Sequence, residues 1–428
     1  MTSLQQFGQN TFSSLKIRNY RLYYIGQVIS TSGTFMQSVA QAWLVLQLTN
    51  SGTELGLVAA LQYLPILILS PFAGVLADRF SKRRLLLVTQ SAFGVIAVML
   101  GLLVATGLVQ IWMVYVFAVC YGLINTLDNP TRQSFVVEMV GERELKNAVT
   151  LYSSLVNLSR VIGPSIAGIL IATVGLAPCF ILNGLSYAAV VIMLLVMNVH
   201  ELRTPPPAPR MKGQVRAGFN YVRSTPVLRN VLLMLAIIGT LTFEFQVSLP
   251  LIAQFTFNSG AQGYAALSAA MGIGAVAGGL ITAGQKNMSS HLLILAAFLF
   301  GLATLIAAIM PNLVLAILGM VIVGVFSIYF TALGNSILQI ESAPQMRGRV
   351  MALWAVAFLG STTIGGPIVG LVGETIGPRW GLGVGGIAAI AAALLGFVTV
   401  RMVQPPKRVS EAAVTSASLT AEEDTRVQ

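Results

Sequence analysis

Charge is scarce in this chain. Charged residues make up 9% of its 428 positions, where a soluble domain carries roughly 25%. With 56% hydrophobic residues and a mean hydropathy of +0.81, a water-facing surface is excluded, and much of the apolar area must face lipid. Histidine is almost missing as well. His200 and His291 fall at the ends of apolar runs, and neither HExxH nor a paired ligand spacing occurs, so a metal-dependent membrane enzyme lacks its side chains. Cys120 and Cys179 lie in apolar stretches and offer neither a disulfide framework nor a metal site. No cofactor and no metal is expected. Alternation with period two is also missing from the apolar runs, which excludes a closed β-barrel. Helices remain as the way to satisfy backbone polar groups in hydrocarbon. Residues 1–17 are largely polar and the first apolar run lacks a small-residue cleavage site, so no cleavable signal peptide is expected.

What is present is a series of long apolar runs. A spanning helix needs roughly 20 such residues, and about twelve spans fill the chain. They read as 21–47, 54–77, 85–106, 110–130, 147–172 and 177–198, then 228–256, 262–284, 291–310, 313–339, 349–373 and 380–402. The predicted organisation is a tail at 1–20, a six-helix half at 21–198, a linker at 199–227, a second half at 228–402 and a disordered tail at 403–428. The fold class is an all-α integral membrane protein with two pseudo-symmetric halves.

The net charge of +11 sits mostly in short links. Lys16, Arg18 and Arg21 precede the first span. Arg79 to Arg84, then Arg143 and Lys146, then the linker, Lys286, Arg347 and Arg349, and finally Lys407 and Arg408 follow on alternate links. The other links hold Arg379 as their sole basic residue. The bias toward cytoplasmic Lys and Arg places both termini inside, in a bacterial inner membrane. It reads as a topology signal, so no nucleic-acid partner is expected.

A shift of 203 residues maps Glu138 onto Glu341, Lys146 onto Arg349 and Gly163-Pro164 onto Gly366-Pro367, which points to duplicated halves around a cleft. In the linker, Pro205, Pro206, Pro207 and Pro209 predict an extended start, and 212–226 predicts a basic amphipathic helix on the membrane surface.

Two segments carry a specific pattern. Gly74-Val-Leu-Ala-Asp-Arg-Phe-Ser-Lys-Arg-Arg84 crosses from the second span into the cytoplasm. Its Asp78, near a helix C-terminus, needs compensation by neighbouring cations. It resembles motif A of the major facilitator superfamily. Gly74, Leu76, Ala77, Asp78 and Arg79 match, Lys82 and Arg83 fill the basic pair in reversed order, and Ser81 replaces a glycine. The resemblance implies a cytoplasmic gate holding the halves together; topology loading alone explains the basic residues but not Asp78 or Gly74. In the fifth span, Gly163, Pro164 and Gly168 resemble the antiporter motif of drug exporters in that superfamily, with Ala167 in place of one glycine. An ordinary Gly/Pro kink is the alternative. Leu127 to Gln133 and Met346 to Trp354 resemble the branch of enterobactin-type exporters and macrolide efflux proteins.

Arg160 lies fourteen residues past Lys146, about 21 Å along a helix, and Glu244 is similarly deep in the seventh span. Hydrocarbon penalises a charge at that depth, which makes Glu244 a candidate proton carrier and Arg160 its candidate partner or a contact for an anionic substrate. A structural polar contact is the alternative for each. Asp128 and Arg132 have the spacing of a helical pair, although Pro130 between them also allows Asp128 to cap a following turn; a gating or structural role is expected. The resemblance implies a secondary active transporter that exports a hydrophobic or amphiphilic small molecule, a drug or siderophore-like metabolite, by proton antiport. Lysophospholipid movement and solute uptake are the alternatives within this fold; a sensor or enzyme is the alternative outside it. A monomer is plausible, and the sequence leaves the oligomeric state open.

Overall fold

The computed structural model describes residues 12–203, 214–285, 288–343 and 345–402, with backbone only at 71–79, 214–215, 359 and 400–402. The tail before residue 12, the proline-rich stretch at 205–209, Lys286 and the tail after 402 lie outside the described residues.

Apolar runs bounded by capping residues set the helices. In the first half these are α1 (Arg18–Thr49), α2 (Gly52–Arg79) and α3 (Lys82–Ala105), then one helical stretch, Ile111–Thr173, and α6 (Ala177–Val196). Gly141 divides that stretch at φ 68°, ψ −180° into α4 (111–140) and α5 (142–173). Only glycine readily adopts this conformation. The linker contributes α7 (Gln214–Ser224). The second half holds α8 (Pro226–Leu241), α9 (Phe245–Leu251), α10 (Gly260–Ala283), α11 (Ser290–Ile309), α12 (Leu313–Glu341), α13 (Arg347–Ala355), α14 (Thr362–Thr375) and α15 (Pro378–Met402). Ser51, Ser81, Ser289 and Asn312 cap α2, α3, α11 and α12 with their side chains, so the helices start where the polar links end.

Among the described residues, ten helical stretches are long and apolar enough to cross a membrane. One of them, Ile111–Thr173, is 63 residues long and holds two crossings, since about 95 Å of helix far exceeds a hydrocarbon core of about 30 Å. Another crossing is α1, whose 32 residues include the buried polar Gln27, Ser30 and Gln37 that lower its hydropathy. Twelve crossings result, six in each half.

Three expectations change. The fourth-to-fifth connection, read as a loop at 131–146, is helical except at Gly141; Glu138, Glu142, Arg143 and Lys146 favour helix and need no loop to reach water. Pro130 does not interrupt α4, and Asp128 pairs with Arg132 rather than capping a turn. The seventh and eleventh spans are not continuous. The seventh breaks between α8 and α9 and ends in a π turn at Ile252–Thr256; the eleventh contains a π turn at Val356–Gly360. Pro250 has no N–H for the turn before it. At the break the backbone is re-satisfied locally. The Glu244 carbonyl accepts from the N–H groups of Val247 (3.1 Å) and Ser248 (3.0 Å), and the Thr242 hydroxyl donates to the Gly385 carbonyl at 2.7 Å.

The halves meet along two seams, α2 with α14 and α5 with α10. Small residues make both. A methyl group at Gly56 would collide with the Gly366 carbonyl, and one at Gly370 with the Gly52 carbonyl. On the other seam, a Cβ at Gly272 would lie 2.7 Å from the Arg160 carbonyl and one at Gly168 2.7 Å from the Ala265 Cβ. Backbones in lipid associate by this close packing. The described start of the linker is anchored too. The Arg203 N–H donates to the Glu138 carbonyl at 2.9 Å, and its guanidinium rests against Gly141. Further on, α7 packs on α8 and α13, and its Tyr221 hydroxyl accepts from the Ala343 N–H at 3.1 Å, clipping the linker helix to the α12–α13 link.

Candidate functional site

Glu244 stands at the break between α8 and α9 and is 3% exposed. Its Oε1 has no hydrogen-bond partner among the described residues, while Thr362 of α14 hydrogen-bonds the carboxyl group. Gly365 leaves room for it, since a Cβ there would lie 3.0 Å from Oε1. Arg160 on α5 is half-buried; its guanidinium lies 5.7 Å from the centre of the Phe35 ring, and its Nε has no partner. The two charged residues do not form an ion pair. Tyr63 of α2 stands within electrostatic range of both. Thus a carboxyl group from one half and a guanidinium from the other both influence the same tyrosine. Sequence reasoning missed Tyr63; its signal is a hydroxyl-bearing ring next to Gln62, just before Pro65, in an otherwise apolar run.

Asp128 and Arg132 form the centre of a separate network inside the first half. Asp128 is fully buried and accepts from the Thr89 hydroxyl (2.7 Å) and the Gln90 amide (2.8 Å) while pairing with Arg132. Arg132 also donates to Gln27 Oε1 (3.2 Å) and the Tyr152 hydroxyl (2.9 Å). The pair therefore ties α1, α3, α4 and α5 together.

The motif A-like residues divide. Gly74, Asp78 and Arg79 lie on the last turns of α2, but their side chains lie outside the described residues. Lys82 pairs with buried Glu138 at 2.8 Å, an ion contact rather than an aligned hydrogen bond. Arg83 donates to the Leu194 (2.7 Å) and Leu195 (3.2 Å) carbonyls at the end of α6. Both contacts stay within the first half. Gly163 brings α5 against the α1 backbone, where a Cβ would meet the Ser32 carbonyl at 2.7 Å; Gly168 faces α10, and Pro164 is buried.

Two further acids escaped sequence reasoning. Glu374 of α14 accepts from the Ser51 hydroxyl (2.6 Å) and the Thr53 N–H (2.8 Å), joining the halves at the N-terminus of α2. Glu54 accepts from the Tyr115 hydroxyl. The pattern Ser51-x-x-Glu54 is a capping-box signature that would have drawn notice to this corner.

The profile of a family described as transmembrane secretion effector, within the major facilitator group, matches residues 9–426. The chain belongs to that family. It is 26% identical to an enterobactin exporter, EntS, of Citrobacter koseri over 90% of this chain and 94% of that protein. It is 24% identical to a staphyloferrin A transporter of Staphylococcus aureus over 75% of this chain and 81% of that protein. Among solved structures, an inward-facing bacterial homologue of the lysosomal transporter Spinster superposes with a TM-score of 0.70 at 15% identity, covering 90% of this chain and 97% of that one. A POT family transporter bound to 5-aminolevulinic acid gives 0.73 at 13% identity, covering 90% and 97%. These likenesses show the fold of a multi-pass membrane transporter of small molecules, not an enzyme.

The transporter has two polar spaces along its first half. A tight chamber of about 30 Å³ is lined by Gln37, Gln41, Gln62, Tyr121, Asn183 and Gln246, and so reaches from α1 across to α9. A larger one of about 190 Å³ is bounded by Gln27, Thr31, Asn125, Arg132, Phe93 and Tyr187. Phe93 stacks on Tyr187 at 5.3 Å and leans on Tyr121 at 4.9 Å, giving this space an aromatic wall. Gln37, Gln41, Tyr121, Asn125 and Gln246 therefore face these spaces.

Proposed function

We propose that the chain exports a hydrophobic or amphiphilic small molecule, a siderophore-like metabolite or a drug, by alternating access coupled to inward proton movement. The observation that carries this reading is Glu244: a buried carboxyl group with one oxygen unpartnered, at a broken helix beside the seam between halves. A group so placed can lose and regain a proton as the surrounding helices part and close. The export direction and siderophore-like cargo draw on what the two relatives are named for. Arg160 is the second coupling candidate, and Gly163, Pro164 and Gly168 the close-packed turn that supports it. Gly74, Asp78, Arg79, Lys82 and Arg83 form the gate at the terminal end, with Lys82 and Arg83 held in place by Glu138 and α6. Asp128 and Arg132 brace the half that moves. The protein sits in a bacterial inner membrane with both tails in the cytoplasm.

A second reading, lysophospholipid movement, draws on a groove of about 420 Å³ between α5 and α10, lined by Ile169, Ala172, Ala265, Ala266 and Ala269. Flux in oriented vesicles, with and without a pH gradient, separates the two. Proton-driven export of amphiphile should lose its dependence on pH in Glu244→Gln. An unchanged pH profile removes Glu244 from the coupling step.

A further inference from the structure

Arg160 is a charge in the wrong place for a purely structural residue. Among the described residues its guanidinium makes no hydrogen bond and no ion pair, and its Nε is buried without a partner. Four other cations of the helices that are not exposed have partners: Arg132 pairs with Asp128, Lys82 with Glu138, Arg83 with carbonyls at the end of α6, and Arg379 with the Ala308 carbonyl at 3.0 Å. A guanidinium left unanswered at membrane depth is costly, and intramembrane cations normally face a partner or a polar passage. Its surroundings are also built to hold it. The Phe35 ring supports one face at 5.7 Å, and the Arg160 carbonyl packs directly over Gly272, fixing the turn of α5 from which the side chain projects. Tyr63 lies within electrostatic range of Arg160. Glu244 forms no salt bridge with it among the described residues. The missing counterion must come from elsewhere.

Resting on the export reading above, we propose that Arg160 is the recognition point for a carboxylate of the transported molecule, with Tyr63 as a second donor, so that the cargo is an organic anion rather than a neutral or cationic amphiphile. A planar guanidinium with two parallel N–H groups matches a carboxylate in a bidentate contact, and the Phe35 ring lies 5.7 Å from its carbon. Arg160 is half-buried rather than sealed, so part of the side chain stays accessible. The carboxylate would then supply the negative charge that the protein does not.

The test is equilibrium binding of dansyl-glycyl-glutamate and its dimethyl ester to the purified full-length protein in detergent micelles. The probes share a ring and differ in charge. The wild type should bind the acid at least tenfold more tightly than the ester. Arg160→Gln should lose that preference while keeping the ester affinity, Arg160→Lys should retain part of it, and Tyr63→Phe should lower acid binding a few-fold. Retained ester binding in Arg160→Gln shows that the variant is folded; Phe35→Leu, which leaves the charge intact, should weaken acid binding less. Wild type that prefers the ester, binds both alike or binds neither overturns the proposal, as does an acid preference that survives Arg160→Gln. Vesicle flux is read separately. A protein that discriminates acid from ester but moves neither against a proton gradient would sink the export reading and leave the anion site standing.

Discussion

Replacing Glu374 should loosen one end of the contact between halves by a predictable amount. Its carboxylate accepts from the Ser51 hydroxyl at 2.6 Å and the Thr53 N–H at 2.8 Å. Both donors sit at the N-terminus of α2, where unpaired N–H groups and the helix dipole favour a negative charge. Hydrogen bonds to a charged acceptor contribute about 1.5–3 kcal/mol each, and solvent at this exposed corner reduces that to about 1 kcal/mol each. Losing both costs about 2 kcal/mol, or about thirtyfold in the equilibrium between closed and open arrangements of this end. An open population of about 1% would rise to about a quarter in Glu374→Ala. Glu374→Gln keeps an acceptor and loses only the charge, so its shift should be about fivefold, near 1 kcal/mol. Spin labels at Leu108 and Val314, exposed residues on the two halves at this end, would report the change as a longer-distance population. Cys120 and Cys179 are removed first to leave the labels alone. Identical distance distributions in wild type, Glu374→Gln and Glu374→Ala would refute the reasoning, because the contact would then hold nothing closed.

Asp128→Asn should destabilise the first half by about 3–5 kcal/mol, since it strands Arg132 in a buried network; thermal unfolding in detergent measures this, and an unchanged melting temperature would show that the pair is not braced as described. Lys82→Ala should cost a similar amount by isolating Glu138, whose side chain is 4% exposed, whereas Lys82→Met with Glu138→Leu should recover most of the loss. A double variant as unstable as the single would show that the charges matter individually. Gly56→Leu should abolish flux without preventing membrane insertion, because no rotamer escapes the Gly366 carbonyl; normal flux would mean that the α2–α14 seam never closes during the cycle.

The spans were legible because each carries enough apolar residues to stand alone, and the charge of the links gave an orientation to expect. What the sequence hid was geometry between distant segments. Arg143 and Lys146 looked like loop residues, because a charged stretch between apolar runs reads the same whether it bends at one residue or ten. Gly141 alone distinguishes the cases, and a single glycine is a weak signal. The break at Thr242–Glu244 was similarly masked, since hydropathy counts apolar residues and not the continuity of their hydrogen bonds. For the site, Arg160 and Glu244 stood out as charges at depth. Tyr63 did not, because a tyrosine in an apolar run usually packs rather than responds to charge. Glu374 was passed over at a nearly cation-free link, where its donors lie more than 300 residues away in the chain.

The anchored start of the linker changes how force would pass between the halves. Arg203 is bound to Glu138 and seated on Gly141, so tension in the tether would pull at the joint between α4 and α5 as well as at the end of α6. That joint has no slack of its own: one glycine serves as both bend and socket, and adding even a methyl group would spoil both. If the second half rocks, it would tug on a lever fixed at the base of the first, beside the same Lys82–Glu138 contact that steadies the start of α3.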